Sequence, residues 1–204
     1  MEQVRWIVYS DYLCPWCYNG MVRLRAIERE FEGRIALEWR SFLLRPEPDP
    51  SRDLEKFRAY TRSWLRPAEE ADAGEFRVWQ GEAGPPSHSL PPHRLAKAAR
   101  AIGGEAAFAE IQRILFRSYF ALNLDITAPD TLARLWSEAG LPEAEIALAE
   151  DPRWSEEARA EHEEAIRLGA GGVPAVRVDG DDSCITGAYP VDMYRRWARR
   201  LLGS

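Results

Sequence analysis

Lysine is nearly missing from this 204-residue chain: Lys56 and Lys97 are the only two, and the remaining basic residues are arginine. Asparagine and glutamine are scarce as well. Hyperthermophilic proteins usually show lysine enrichment, so the bias fits a GC-rich coding sequence better than heat adaptation. Positive charge is not in excess either. The formal net charge of −6 argues against nucleic acid as a partner, which needs a basic face. No stretch approaches the ~18 apolar residues of a membrane span. The opening "MEQVRWIVYSDYL" lacks the apolar region and small-residue cleavage site of a secretory signal, so a cytoplasmic protein is expected. Cysteines number only three. With 46% hydrophobic and 11% aromatic residues the chain can bury a core without disulfide staples.

Two of the three cysteines stand together in "SDYLCPWCYNG", residues 10–20, as C-x-x-C. The surrounding pattern places that motif. Val4 to Tyr9 is a β-branched and aromatic run, the pattern of a buried strand. Met21, Leu24, Ile27 and Phe31 then recur at helical spacing, and Gly33 closes the segment. Ile35, Leu37 and Trp39 alternate with polar or small neighbours as a second strand. Strand, helix, strand is a βαβ unit with parallel strands. The cysteines fall at its first junction, with Pro15 in the opening turn of the helix, where its missing N–H costs nothing.

From "LRPEPDPSRD" onward the pattern is helical for over a hundred residues. Leu54, Phe57, Thr61, Trp64 and Leu65 make one face, with Pro67 and "AGPPSHSLPPH" as punctuation. Phe108, Ile111, Leu115 and Leu122 make another, widened by Ile114, Tyr119 and Phe120. Thr127 with Asp130 reads as a capping box for a helix that Gly140 ends. Asp151 and Pro152 open a further helix carrying Trp154, Ala158, Ala165 and Ile166. Such stripes must pack on one another as a bundle. Ala175–Val178 and Ser183–Thr186 flank "DGDD" as a hairpin. Tyr194, Trp197, Ala198 and Leu201 give a last amphipathic helix.

A C-x-x-C can hold a metal, form a structural disulfide or act as a redox dithiol. A structural zinc needs about four ligands, usually two pairs, and only one pair exists here, so no metal is expected. A reducing cytoplasm disfavours a structural disulfide. The dithiol suits the position. A thiolate is the attacking species, and free N–H groups and the dipole at a helix start stabilise its charge at Cys14. Cys17, one turn inside, is placed to resolve the mixed disulfide.

The segments "SDYLCPWCYNG", "SFLLRPEPDP", "HRLAKAAR", "LFRSYFALNLDI", "GAGGVPAV" and "ITGAYP" together resemble the DsbA-like thioredoxin-fold proteins of the FrnE type, in the expected order over almost the whole chain. The resemblance implies an α/β thioredoxin fold interrupted by an all-helical domain, and dithiol–disulfide exchange without a bound cofactor. Residues 1–45 and 170–204 would form the thioredoxin part and residues 46–169 the insertion, with boundaries good to a few residues. It implies Cys14 as an exposed nucleophile, Cys17 as the more buried resolver, and a cis bond at Val173-Pro174 beside them. Val173 would then offer its backbone to an extended substrate. Family members with a further C-terminal cysteine pair differ from this chain, so functions of that pair are not expected. The expected partners are protein or peptide thiols and disulfides, with glutathione as a further candidate, and neither nucleic acid nor membrane.

The remaining polar residues have plainer readings. Trp16 is expected exposed beside Cys14, tuning access or simply packing. Asp11 reads as a turn or cap residue rather than a proton shuttle. His88 and His93 read as helix-packing or solvent residues, and His162 as a surface residue. Cys184 reads as a small buried hydrophobe within a strand. Two other functions compete. Kappa-class glutathione transferases and 2-hydroxychromene-2-carboxylate isomerases are similar in the "FLLRP" region but have Ser where Cys14 stands. A binding or chaperone module would hold partners in the groove between the two domains.

Overall fold

A computed structural model describes residues 3–203. Its sheet has four strands: β1 (Val4–Ser10), β2 (Ile35–Ser41), β3 (Ala175–Val178) and β4 (Ile185–Thr186), in the order β2-β1-β3-β4. β1 and β2 are parallel from Val4–Ile35 to Ser10–Ser41. β3 runs antiparallel to β1, with Tyr9 opposite Ala175, and β4 antiparallel to β3. β1 is buried on both faces, which explains its unbroken apolar run. Trp6 and Val8 join a core with Leu24 and Ile27 of α1 (Pro15–Glu30) and Tyr194 and Ala198, while Ile7 and Tyr9 meet Phe42 and Ala165 on the other side.

Between β2 and β3 the chain forms α2 (Leu54–Thr61), a short 3-10 turn, α3 (Leu65–Ala68), α4 (Leu90–Phe120), α5 (Pro129–Glu138), a second 3-10 segment and α6 (Pro152–Arg167), and α7 (Val191–Leu201) closes the fold. Among the described residues this insertion holds no β-strand. The architecture is a thioredoxin fold with a helical insertion. Aromatic side chains bind the insertion to the sheet-bearing half. Phe57, Trp64, Trp79, Tyr119 and Phe120 interlock, and Tyr18 of α1 stacks on Phe116 of α4 at 5.3 Å between ring centroids. The helix that carries the cysteines is thus packed against both halves.

Several local expectations fail for identifiable reasons. The capping box does not form. Asp125 accepts from both the N–H and the hydroxyl of Thr127, and α5 instead begins at Pro129 after an uncapped Ala128. Residues 69–89 contain no helix, broken by the proline- and glycine-rich composition of that stretch. Leu65, Leu122 and Ile166 are exposed, because the partner elements cover other sides of their segments. Within Leu90–Phe120 the helix is broken at Gly104, whose φ 67°, ψ −158° is non-helical, so α4 is two helical segments joined by a kink. The second hairpin strand is two residues long, so Cys184 lies just before β4 and is half-buried.

Candidate active site

The first turn of α1 is built by Cys14 and Pro15. Cys14 is the N-cap in an extended conformation, and its Sγ accepts the Cys17 N–H at 3.4 Å. Pro15 occupies the opening turn, where no N–H is required. The Val173-Pro174 peptide is cis, and the Cys14 thiol donates to the Val173 carbonyl at 3.4 Å. Residues 159 positions apart in sequence therefore meet at one sulfur. The proline ring lies over Gly20 of the same helix: a Cβ there would come within 2.9 Å of Pro174 Cγ. Glycine inside a helix costs ~0.5–1 kcal/mol against alanine, and this close approach is its reason.

Cys17 is fully buried. Burial pushes its thiol well above the ordinary range, helped by the neighbouring Cys14 sulfur, while the Asp11 backbone and the Ser10 hydroxyl act in the opposite direction. The expectation of an exposed Cys14 needs correction. Only 6% of it is accessible, because the capping geometry turns the sulfur inward and the Val173 carbonyl covers it. Trp16, between the two cysteines, is exposed as expected.

Asp11 is not a helix cap, since Cys14 fills that position. It is completely buried, and its carboxylate accepts from the Leu13 N–H at 2.7 Å, the Leu44 N–H at 2.6 Å and the Ser89 hydroxyl at 2.6 Å. One side chain thereby fixes the loop before Cys14, the chain after β2 and the start of α4. Burial pushes its carboxyl up to about 6, opposed by those three hydrogen bonds and by Arg45.

The histidines lie apart from the sulfurs. His93 is buried against Tyr12, 4.9 Å between rings, and burial holds it down at about 3. His88 bonds the neighbouring Ser87. His162 is not a free surface residue: its Nδ1 accepts the Leu43 N–H at 3.2 Å and its ring stands edge-on to Phe42, securing α6 to the end of β2. Cys184 packs at the edge of the Ile7–Tyr9 side, and burial raises its thiol. Among the described residues no group of three or more His, Cys, Asp or Glu side chains could hold a metal ion. No described helix is long and apolar enough to cross a membrane.

Sequence reasoning missed the side chains that hold α1 in place. Asn19 is buried, donates to the Pro67 carbonyl at 2.8 Å and accepts the Gly74 N–H at 2.9 Å. Arg23, with its side chain fully enclosed, reaches Asp72 and Glu70 of the insertion and the Ala188 and Tyr189 carbonyls before α7. Their one signal is two polar residues four apart, interleaved with the apolar face of α1. Beside Leu13 a cleft of about 540 Å³ is lined by Leu44, Arg45, Arg52, Lys56 and Tyr60, along with Asp49 and Asp53. Asp53 caps α2 and Asp49 holds a turn with Ser51, and with three basic side chains against these two carboxylates the cleft carries a small excess of positive charge.

The family model described as DSBA-like thioredoxin domain matches residues 7–197. A probable DsbA oxidoreductase from Streptomyces coelicolor is 27% identical, covering 99% of this chain and 91% of that one, with a TM-score of 0.76. A putative protein disulfide isomerase from Nitrosomonas europaea is 18% identical over 99% and 97% of the two chains, TM-score 0.78. The cytosolic disulfide reductase DsbM from Pseudomonas aeruginosa, also solved with GSH, is 20% identical over 98% and 97%, TM-score 0.77. A 47-residue stretch is 45% identical to the uncharacterized protein YwbO of Bacillus subtilis, and that match spans only 22% of each chain.

Proposed function

The chain belongs to the DSBA-like thioredoxin domain family, and from that premise we propose that it is a protein thiol–disulfide oxidoreductase of the FrnE type using Cys14 and Cys17. The observation that carries this reading is the Cys14 sulfur at the head of α1, between the Cys17 N–H and the Val173 carbonyl. A thiolate formed there keeps the N–H and the dipole of a 16-residue helix. It also frees the Val173 carbonyl to accept from the backbone of an extended client.

The exchange runs in two steps. Cys14 attacks one sulfur of the client disulfide, forming a mixed disulfide as the client's other sulfur leaves with the bonding pair. Cys17 then attacks Cys14, closing the Cys14–Cys17 disulfide and releasing the second client sulfur. Two electrons pass to the client, and the two protons of the cysteines end on its thiols. The reverse sequence oxidises a client dithiol. Isomerisation combines the two directions.

The cleft beside Leu13 suits a small anionic thiol. Arg45, Arg52 and Lys56 complement carboxylates such as those of glutathione, which joins protein thiols as a candidate partner in a cytoplasmic setting. A glutathione transferase needs no second thiol, so the sealed Cys17 behind Cys14 favours redox work over that alternative. Incubating the reduced protein with glutathione disulfide tests the reading. Intramolecular Cys14–Cys17 disulfide with release of two glutathiones per chain is expected, and Cys14→Ala abolishes it. Release of glutathione that survives loss of Cys14 contradicts the proposal.

A further inference from the structure

Arg45 lines the cleft beside Leu13, and among the described residues its guanidinium makes no ion pair and no hydrogen bond. Arg52 of the same cleft is engaged: it donates to the Pro86 carbonyl and lies over the Phe57 ring, 5.0 Å from the centroid. The backbone of Arg45, by contrast, is held at both of its polar groups. Its N–H donates to Ser89 Oγ at 3.1 Å, and its carbonyl accepts from the Ser89 N–H at 2.8 Å. The Ser89 hydroxyl and the Leu44 N–H both donate at 2.6 Å to one oxygen of Asp11, whose other oxygen takes the Leu13 N–H at 2.7 Å. Asp11 and Ser89 are fully enclosed.

A long side chain that reads a ligand loses rotamer freedom on binding, and a loose backbone beneath it adds to that loss. Hydrogen bonds to a carboxylate are roughly twice as strong as neutral ones, so Asp11 is a firm anchor for the segment that carries Arg45. The same carboxylate holds Leu13, the residue before Cys14. One buried group therefore sets the guanidinium and the loop of the attacking thiol in a single frame. We infer that Arg45 is the specificity residue of the cleft, reading a carboxylate on the thiol partner, and that Asp11, acting through Ser89, is its positioning residue. The inference rests on the redox reading above, with an anionic thiol as partner.

Two properties separate this role from simple structural support. Ser89 carries no charge, so its loss changes the hold on Arg45 and leaves the number of charges in the cleft as it was. Asp11 is negative, so its neutralisation alone would draw an anion in. The lost frame acts in the opposite direction. Asparagine offers one acceptor oxygen where the carboxylate offers two, so at position 11 it leaves either the Leu13 donor or the Leu44 and Ser89 donors without their acceptor.

Calorimetric titration of the reduced protein with S-methylglutathione tests this. The probe carries both carboxylates of glutathione and has no free thiol, so nothing turns over. Arg45→Gln, at an exposed position, should weaken binding about tenfold, the loss of one charge-assisted pair. Unchanged affinity, or no binding to the unaltered protein, overturns the inference. Ser89→Ala should weaken binding about fivefold when Arg45 is present and less than about twofold once Arg45 is replaced, because residues that act through one another are not additive. A loss of equal size in both backgrounds marks general support and overturns the positioning role. Asp11→Asn should weaken binding as well, and tighter or unchanged binding overturns that role. None of these readouts depends on exchange: a chain that binds the probe in this way but closes no Cys14–Cys17 disulfide contradicts the redox reading alone.

Discussion

Asp11 and His93 are both buried within the active-site half of the molecule, and burial acts on them with opposite effect on stability. The Asp11 carboxyl rises from 3.8 to about 6, so the folded state holds its proton more tightly than the unfolded chain does. Its contribution is fully present below pH ~4 and is lost as pH rises through about 6, a difference of roughly 3 kcal/mol at ~1.4 per unit. His93 falls from 6.5 to about 3, so the unfolded chain takes up a proton that the folded protein refuses. Its contribution is present above pH ~6.5 and is lost as pH falls towards 3. Between pH 6.5 and 4.5 the loss at His93 and the gain at Asp11 are each about 2 kcal/mol, so we expect the urea midpoint of the unaltered protein to change little, whereas His93→Gln, with only the Asp11 gain left, should become more stable by about 2 kcal/mol as pH falls. An unchanged acid slope in His93→Gln counts against burial as the cause. Gly20 carries a second expectation, this time of sterics. Gly20→Ala drives a methyl to 2.9 Å from the Pro174 ring, and overpacking of this kind costs about 1–3 kcal/mol. Thermal denaturation should show the variant less stable despite alanine's better helix propensity; a gain in stability would mean that the proline loop yields freely.

α1 was the most legible element of the chain. Pro15 in its first turn, the apolar positions Met21, Leu24 and Ile27, and Gly33 beyond its end all point to the same helix, and the structure runs from Pro15 to Glu30. What could not be read is how it is held. Asn19 and Arg23 find partners 47 to 166 residues away, and no local pattern encodes a contact of that separation. Asn19→Ala removes two hydrogen bonds at once, leaving the buried Pro67 carbonyl with only the Glu70 N–H at 3.4 Å and the half-buried Gly74 N–H without its Asn19 acceptor. The expected cost is about 2–4 kcal/mol, measured by urea unfolding. A loss below ~1 kcal/mol would show that the segment from Pro67 to Gly74 relaxes to solvent instead. The failed capping box teaches the same lesson on a shorter range. Thr127 had two candidate acidic partners, and Asp125 took it first.

The order strand-helix-strand, helices, strand-strand-helix was legible throughout, because period-2 and period-3.6 patterns alternate cleanly and turn residues separate them. The sheet order was not readable from those periods; the order β2-β1-β3-β4 came with the structure. Nor were the clamps formed by Asp11, which joins positions 11, 44 and 89, since folding alone brings those segments together. The site itself divides in the same way. Cys14 and Cys17 announce themselves by spacing, and Val173 and Pro174 by resemblance, but the burial of Cys14 under the Val173 carbonyl is a property of the assembled fold. In the function proposed above, attack falls to Cys14 and resolution to the fully buried Cys17. The most direct test is to trap the mixed disulfide. Cys17→Ala protein, reduced and then mixed with an oxidised peptide, should accumulate one covalent adduct per chain, and peptide mapping should place it on Cys14. An adduct on Cys184, or none at all with Cys14 intact, would contradict the assignment.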